Sequence, residues 1–159
     1  MKQLLLIRHA NALNESTGGD FGRQLSPNGI VEAEEMAAKA ISQGINPQLV
    51  VSSEAVRAKA TAAIFCKHFN LLAPQTNPVI YEGGEKNLLK LVNSFPEDKN
   101  FIALVGHNPD ISNFLYLLTG EVREVPTCTV ALIIFEADEW EHISSETGTL
   151  NWYGAPTIN

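Results

Sequence analysis

Residues 4–9 read Leu4-Leu5-Leu6-Ile7-Arg8-His9, an uninterrupted apolar run that stops at two basic side chains. A run this short and uniformly apolar suits a central parallel strand, which shows no in–out alternation because both its faces are covered. The next segment, Ala10 to Gln24, is polar and holds Gly18, Gly19 and Gly22. It is longer than a structural link needs, and loops of that length often carry function. Ser26 and Pro27 then have the chemistry of a helix N-cap and first helical position, and Ile30, Ala33, Ala37, Ala40 and Ile41 recur at helical spacing until Gly44.

The same punctuation continues along the chain. Leu49 to Val51 predicts a second buried strand, with Ser53 capping a helix that reaches about Phe69 through Val56, Ala60, Ala63 and Ile64. A weaker strand is expected at Val79 to Tyr81, a short helix from Gly83-Gly84 to about Phe95, and a clear buried strand at Phe101 to Val105. Asn108 and Pro109 open the next helix, which ends at Gly120. Strands alternating with helices imply a parallel sheet. The tail differs: Thr129 to Phe135, Glu139 to Ser144 and Thr149 to Trp152 follow one another with turns between them, as in an antiparallel extension. The expected architecture is an α/β three-layer sandwich, with a mostly parallel central sheet, helices on both faces and an antiparallel C-terminal edge. One domain over residues 1–159 is expected to hold it.

Composition removes several functional classes. Apolar residues at 45% and charged residues at 18% are ordinary for a globular chain, and no stretch is long enough to span a bilayer. The apolar run at the N-terminus is too short for a secretory signal, so a cytoplasmic protein is expected. Cys66 and Cys128 have neither metal-ligand nor redox spacing, and the four histidines are not clustered, so no metal or cofactor is expected. A formal net charge of −7 would repel polyanions, which argues against a nucleic-acid partner. Any anion site must therefore be built locally, from few cations: the arginines are Arg8, Arg23, Arg57 and Arg123.

Ligands of open parallel sheets bind beyond the carboxyl ends of the strands. Three expected strands deliver chemistry there: Arg8 and His9 after the first, Arg57 in the helix after the second, and His107 after Phe101 to Val105. Two imidazoles and two guanidinium groups at one rim suit phosphoryl transfer, where positioning and electrostatic stabilisation do most of the work. A neutral imidazole can attack phosphorus and carry the phosphoryl group as phosphohistidine. His9 is the candidate nucleophile, with Arg8 disfavouring its protonated form, and His107 is expected to act protonated, donating to a phosphoryl oxygen. Taken singly, each residue has a plainer reading: a solvated strand end for Arg8-His9, a surface arginine for Arg57, a turn residue for His107.

The motifs in order resemble those of the histidine phosphatase, or phosphoglycerate-mutase-like, superfamily. Leu6-Ile-Arg-His-Ala10 is similar to its Arg-His-Gly signature, Ser53-Glu-Ala-Val-Arg-Ala-Lys-Ala-Thr-Ala62 to its Ser-Pro-x-x-Arg-Ala-x-Gln-Thr-Ala motif, and Val105-Gly-His-Asn-Pro109 to the segment bearing its second histidine. The short chain, Arg23-Gln-Leu-Ser-Pro-Asn-Gly29 and Gly148-Thr-Leu-Asn-Trp152 resemble the SixA-type phosphohistidine phosphatases. The resemblance implies catalysis by His9, His107, Arg8 and Arg57, and phosphate binding by Arg8, Arg23, Arg57 and His107, with Arg23 supplied by the long loop. It implies a metal-independent phosphatase, and the expected substrate is phosphohistidine on a phosphorylated protein such as a histidine phosphotransfer domain. A phosphomonoesterase of small phosphorylated metabolites, with Glu82 as general acid, and a catalytically silent phosphate-binding domain are the alternatives. Ala10, Glu54 and Ala60 depart from the family pattern, and Glu54 would bring a carboxylate near an anion site.

Overall fold

The computed structural model describes residues 1–157. Its six strands are β1 (Lys2–Arg8), β2 (Leu49–Ser52), β3 (Gln75–Thr76), β4 (Phe101–Gly106), β5 (Val130–Phe135) and β6 (Gly148–Gly154). The helices are α1 (Pro27–Ser42), α2 (Val56–His68), α3 (Val79–Glu82), α4 (Gly84–Asn93) and α5 (Asp110–Thr119). The strands form one sheet in the order β3-β2-β4-β1-β5-β6. β3, β2, β4 and β1 run parallel to their neighbours, whereas β5 and β6 add antiparallel partners beyond β1. This is the α/β sandwich the sequence implies.

The apolar runs are continuous because each strand feeds two cores. Leu5 and Ile7 of β1, Ala103 and Val105 of β4 and Val50 of β2 pack with α1 and α2 through Ala33, Met36, Ala37, Ala58, Ala62 and Phe65. Leu4 and Leu6, Ile102 and Leu104, and Val51 face the other way, onto Leu88 and Val92 of α4 and Ile111, Phe114 and Leu118 of α5. Full burial of one such side chain contributes about 1.5–3 kcal/mol, and all four residues of Leu4–Ile7 are inaccessible to solvent. At the opposite end of β1, Lys2 is buried. Its Nζ donates to Asn100 Oδ1 at 2.9 Å and to the Lys99 carbonyl at 3.2 Å, and lies 3.2 Å from Glu97 Oε1.

Four expectations are corrected. Val79 to Tyr81 is a helical turn, not a strand: Asn77 Oδ1 accepts the Val79 N–H at 2.9 Å and starts α3, while the strand lies earlier, at Gln75–Thr76. Glu139 to Ser144 is a 3-10 turn at Trp140–His142, whose buried indole donates to the Lys99 carbonyl at 2.8 Å. In α1, Ile30 and Ile41 are exposed, and Met36 joins the alanines inside. In α2 the buried face is Arg57, Ala58, Thr61, Ala62, Phe65 and Cys66 rather than the Val56, Ala60, Ala63 and Ile64 stripe. An alanine-rich helix has weak amphipathicity, so its inward face is poorly marked by side-chain size.

The base of the long loop is fixed to α1. Ser26 caps the helix by accepting the Gly29 N–H at 2.9 Å and donates to Asn11 Oδ1 at 2.6 Å. Gly29 has no room for a side chain, since a Cβ there would lie 1.9 Å from the Asn11 carbonyl oxygen. Helix propensity alone would make Gly29→Ala stabilising by about 1 kcal/mol. We expect the reverse, a loss of about 1–3 kcal/mol from overpacking, measured by urea denaturation.

Candidate active site

The carboxyl ends of β1, β2 and β4 are adjacent, and they meet in a cleft of about 630 Å³. Arg8, His9, Arg23, Arg57, Glu82 and His107, all singled out in the sequence, line it. The His9 backbone is held between the end of β4 and the turn leading into β5: its N–H donates to the Gly106 carbonyl and its carbonyl accepts from the Cys128 N–H, each at 3.0 Å. The next N–H, of Ala10, donates to Thr61 Oγ1 at 3.0 Å, and that hydroxyl donates to the Arg57 carbonyl at 2.8 Å. Thr61 thus ties the first motif to the second, one turn after Arg57 on the inward face of α2.

The two imidazoles are 5.2 Å apart between centroids, with only 7% and 6% of His9 and His107 exposed. The Nδ1 of His9 lies 2.8 Å from the Ala10 carbonyl, an acceptor, so Nδ1 carries the proton. Its Nε2 keeps the lone pair and accepts from Arg57 Nε at 3.3 Å. Burial pushes the His9 pKa down to about 4, and Arg57 and Arg8 act in the same direction. Arg8 therefore has the expected sign, but desolvation is the larger cause.

His107 departs from expectation. Burial, followed by the neighbouring His9 and Arg57, lowers its pKa to about 3, so the ring is neutral rather than protonated. Its Nε2 lies 2.8 Å from Ser53 Oγ. Ser53 does not cap α2, where Ala55 occupies the N-cap position; its hydroxyl accepts the Ala55 N–H at 3.1 Å and is free to donate to His107. When the Ser53 hydroxyl donates to Nε2, the proton sits on Nδ1, and neutral His107 is still a donor.

Among the described residues, the two buried side-chain polar atoms without a partner are Arg8 Nε and His107 Nδ1. Unpartnered buried donors are rare in folded proteins. Both belong to this cleft, and both are of the kind an oxyanion would satisfy. Arg8 is anchored through Nη1, which donates to the Val125 carbonyl at 2.8 Å. Gly106 is small for packing, since a Cβ there would meet the Ile111 and Ile80 side chains at 3.1 Å.

Two cleft residues had no sequence signal of their own. Asp20, in the 3-10 turn Asp20–Gly22 of the long loop, accepts from Arg23 Nη1 at 3.0 Å through Oδ1 and from Arg57 Nη2 at 3.1 Å through Oδ2. Its main-chain carbonyl also accepts from Arg57 Nη1 at 2.7 Å. Tyr81 donates its hydroxyl to Asp20 Oδ2 at 2.6 Å and sets its ring edge-on to His107. The Tyr81 hydrogen bond, then the arginines, hold the Asp20 carboxyl well below the usual carboxylate range. Glu54, which was expected to approach the anion site, is not part of the cleft lining; Asp20 is the carboxylate that meets the arginines. Glu82 lies at the rim, exposed to solvent.

Residues 4–85, just over half of the chain, match the model of the histidine phosphatase superfamily (branch 1). The chain belongs to that superfamily. A search of curated proteins by sequence gave no match. Among solved structures, a protein assigned as phosphohistidine phosphatase SixA from Agrobacterium tumefaciens is 26% identical, with a TM-score of 0.83 over 98% of both chains. The protein histidine phosphatase SixA complexed with tungstate is 24% identical, with a TM-score of 0.79 over 96% of both chains. A mycobacterial glucosyl-3-phosphoglycerate phosphatase shares the fold at 16% identity and a TM-score of 0.69, over 98% of this chain and 99% of its own. Family membership and the likeness to SixA support phosphatase activity.

The lowered imidazole pKa values make a stability prediction. Unfolded histidines titrate near 6.5, whereas His9 and His107 do so at about 4 and about 3. Between these limits the unfolded chain binds protons that the folded chain does not, so stability rises with pH and is lost as pH falls from about 6.5. The urea midpoint should drop between pH 7 and pH 4.5, and drop less in His107→Asn.

Proposed function

We propose that the chain is a metal-independent phosphatase that carries the phosphoryl group on His9 Nε2 and acts on phosphohistidine of a signalling phosphotransfer protein. The observation that carries the reading is the tautomer of His9: Nδ1–H is committed to the Ala10 carbonyl, and the Nε2 lone pair faces Arg57. The incoming phosphoryl group is held by Arg8, Arg23 and Arg57, with Nδ1–H of His107 as a further donor. Nε2 of His9 attacks phosphorus in line, the P–N bond to the substrate imidazole breaks, and that ring leaves with the bonding pair and takes a proton from water. Water then attacks the phosphorus on His9, returning the neutral imidazole and releasing inorganic phosphate.

The donor set supports metal independence. Guanidinium groups from three separate segments supply the positive charge that a divalent cation would otherwise bring to the equatorial oxygens. The substrate class rests on the acid. An alkoxide leaving group needs a proton in the transition state, whereas an imidazole leaves more readily. Glu82 is exposed at the rim and makes no hydrogen bond that would aim it at a leaving group, which favours P–N substrates over P–O esters. We take residues 1–159 as one phosphatase domain, and its open cleft, with no capping segment over it among the described residues, admits a protein side chain. No helix among the described residues is long and apolar enough to cross a membrane.

The test is trapping. With phosphohistidine peptide as substrate, label should be retained by the wild type after a rapid acid-free quench and be lost in His9→Ala, whose kcat should fall by more than about 10³-fold. Arg57→Ala should lower kcat by about 10²–10³-fold, and EDTA should leave turnover unchanged. Label on the His9→Ala protein would move the nucleophile to another ring. Faster turnover of sugar phosphates would replace the proposed substrate with a small metabolite, and vanadate binding without any turnover would indicate a silent phosphate-binding domain.

A further inference from the structure

The side chain in contact with both Arg23 and Arg57 is itself an anion. Asp20 presents two carboxylate oxygens to two guanidinium groups from different segments, the geometry expected of a phosphoryl group held between them. We propose that Asp20 is a resident carboxylate that occupies part of the oxyanion site, and that an incoming phosphoryl group must displace it together with the tip of its loop. This rests on reading the cleft as a phosphate site.

The loop is built so that its base stays and its tip can leave. The base is closed by the bridge between Ala12 and Leu25, the Leu13 N–H donating to the Gln24 carbonyl at 2.8 Å, and Arg23 Nε donating to the Leu13 carbonyl at 2.7 Å. The tip contains Gly18, Gly19 and Gly22. Gly19 has φ +69° and nothing near its missing side chain, a backbone state open to glycine and strained for other residues. What holds the tip down is a small set of contacts at the mouth of the cleft: those of Asp20 with Arg23, Arg57 and Tyr81, and the edge-on packing of Phe21 against Tyr81 at 5.1 Å. The Asp20 side chain is 54% exposed, against 7% for that of Arg57, so the contact lies at the mouth of the cleft where displacement opens into solvent.

Displacement exchanges one negative charge for two. A phosphoryl dianion gains more from the arginines than Asp20 does, whereas a monoanion gains little over the carboxylate it replaces. Asp20 therefore weakens binding of all oxyanions by the same factor, set by the fraction of protein whose site is open, and only an anion held strongly by the arginines keeps useful affinity. An apparent affinity lowered by a competing closed state recovers when that state is removed.

The experiment is calorimetric titration of the full-length protein with inorganic phosphate at pH 8, where turnover plays no part. Asp20→Asn and Asp20→Ala should each tighten phosphate binding about three- to tenfold, the range expected for losing a half-exposed ion pair with charge-assisted hydrogen bonds. Tyr81→Phe, which keeps the carboxylate but removes its 2.6 Å partner, should tighten it less and have no further effect in the Asp20→Asn background. Formate, a monoanion, should gain by the same factor as phosphate from Asp20→Asn, because both displace the same carboxylate. Unchanged or weaker phosphate binding in both Asp20 variants, while Arg57→Ala abolishes it, would overturn the proposal and leave the phosphatase reading standing. If phosphate bound none of these proteins, the phosphate-site reading would fail and this inference with it.

Discussion

An imidazole that stays uncharged among guanidinium groups is the constraint on which the rest of the site depends. Two things secure it: burial, which makes the charged ring costly, and the Ala10 carbonyl, which fixes the proton on Nδ1. Both follow from where His9 sits, at the end of the strand flanked by β4 on one side and β5 on the other. A strand at a sheet edge would leave the ring solvated and its tautomer free. The central position of β1, which its all-apolar run demands, is thus also a condition for its chemistry.

The motifs that supply the site are held together by hydrogen bonds between their small residues. Thr61 links the Ala10 N–H to the Arg57 carbonyl, and Ser53 links the start of the α2 segment to His107. Such hydroxyls pass orientation from one segment to the next without bringing charge into the pocket. The departure at Ala10 is tolerated because its side chain is wholly buried and its backbone N–H still reaches Thr61.

Much of this was legible in the sequence because strand ends are marked by abrupt changes from apolar to charged residues. Leu4–Ile7 followed by Arg8-His9, and Phe101–Val105 followed by Gly106-His107, placed both rings at one rim. The errors came where long-range partners decide local structure. Val79-Ile80-Tyr81 is too short to separate a period of 2 from one of 3.6, and the Asn77 side chain settled it as a helical turn. Trp140 has the composition of a strand residue, but its indole and N–H are claimed by Lys99 and Glu97, some forty residues earlier. Asp20 was invisible for a related reason: nothing local says that a glycine-rich loop folds back onto an arginine 37 positions later.

Strand β1 carries a buried or half-buried cation at each end, and the two ends are finished differently. Lys2 is saturated: carbonyls, an amide oxygen and a carboxylate surround its ammonium group, with the Trp140 ring 5.3 Å away. Arg8 is left with spare valence, one anchoring bond and an idle Nε. The strand is therefore polarised in purpose as well as in direction, with a spent charge that nails down its beginning and an unspent one that remains available at its tip. Substitutions at position 2 should consequently register in folding assays and those at position 8 in assays of anion capture, although the two positions are the ends of one seven-residue strand.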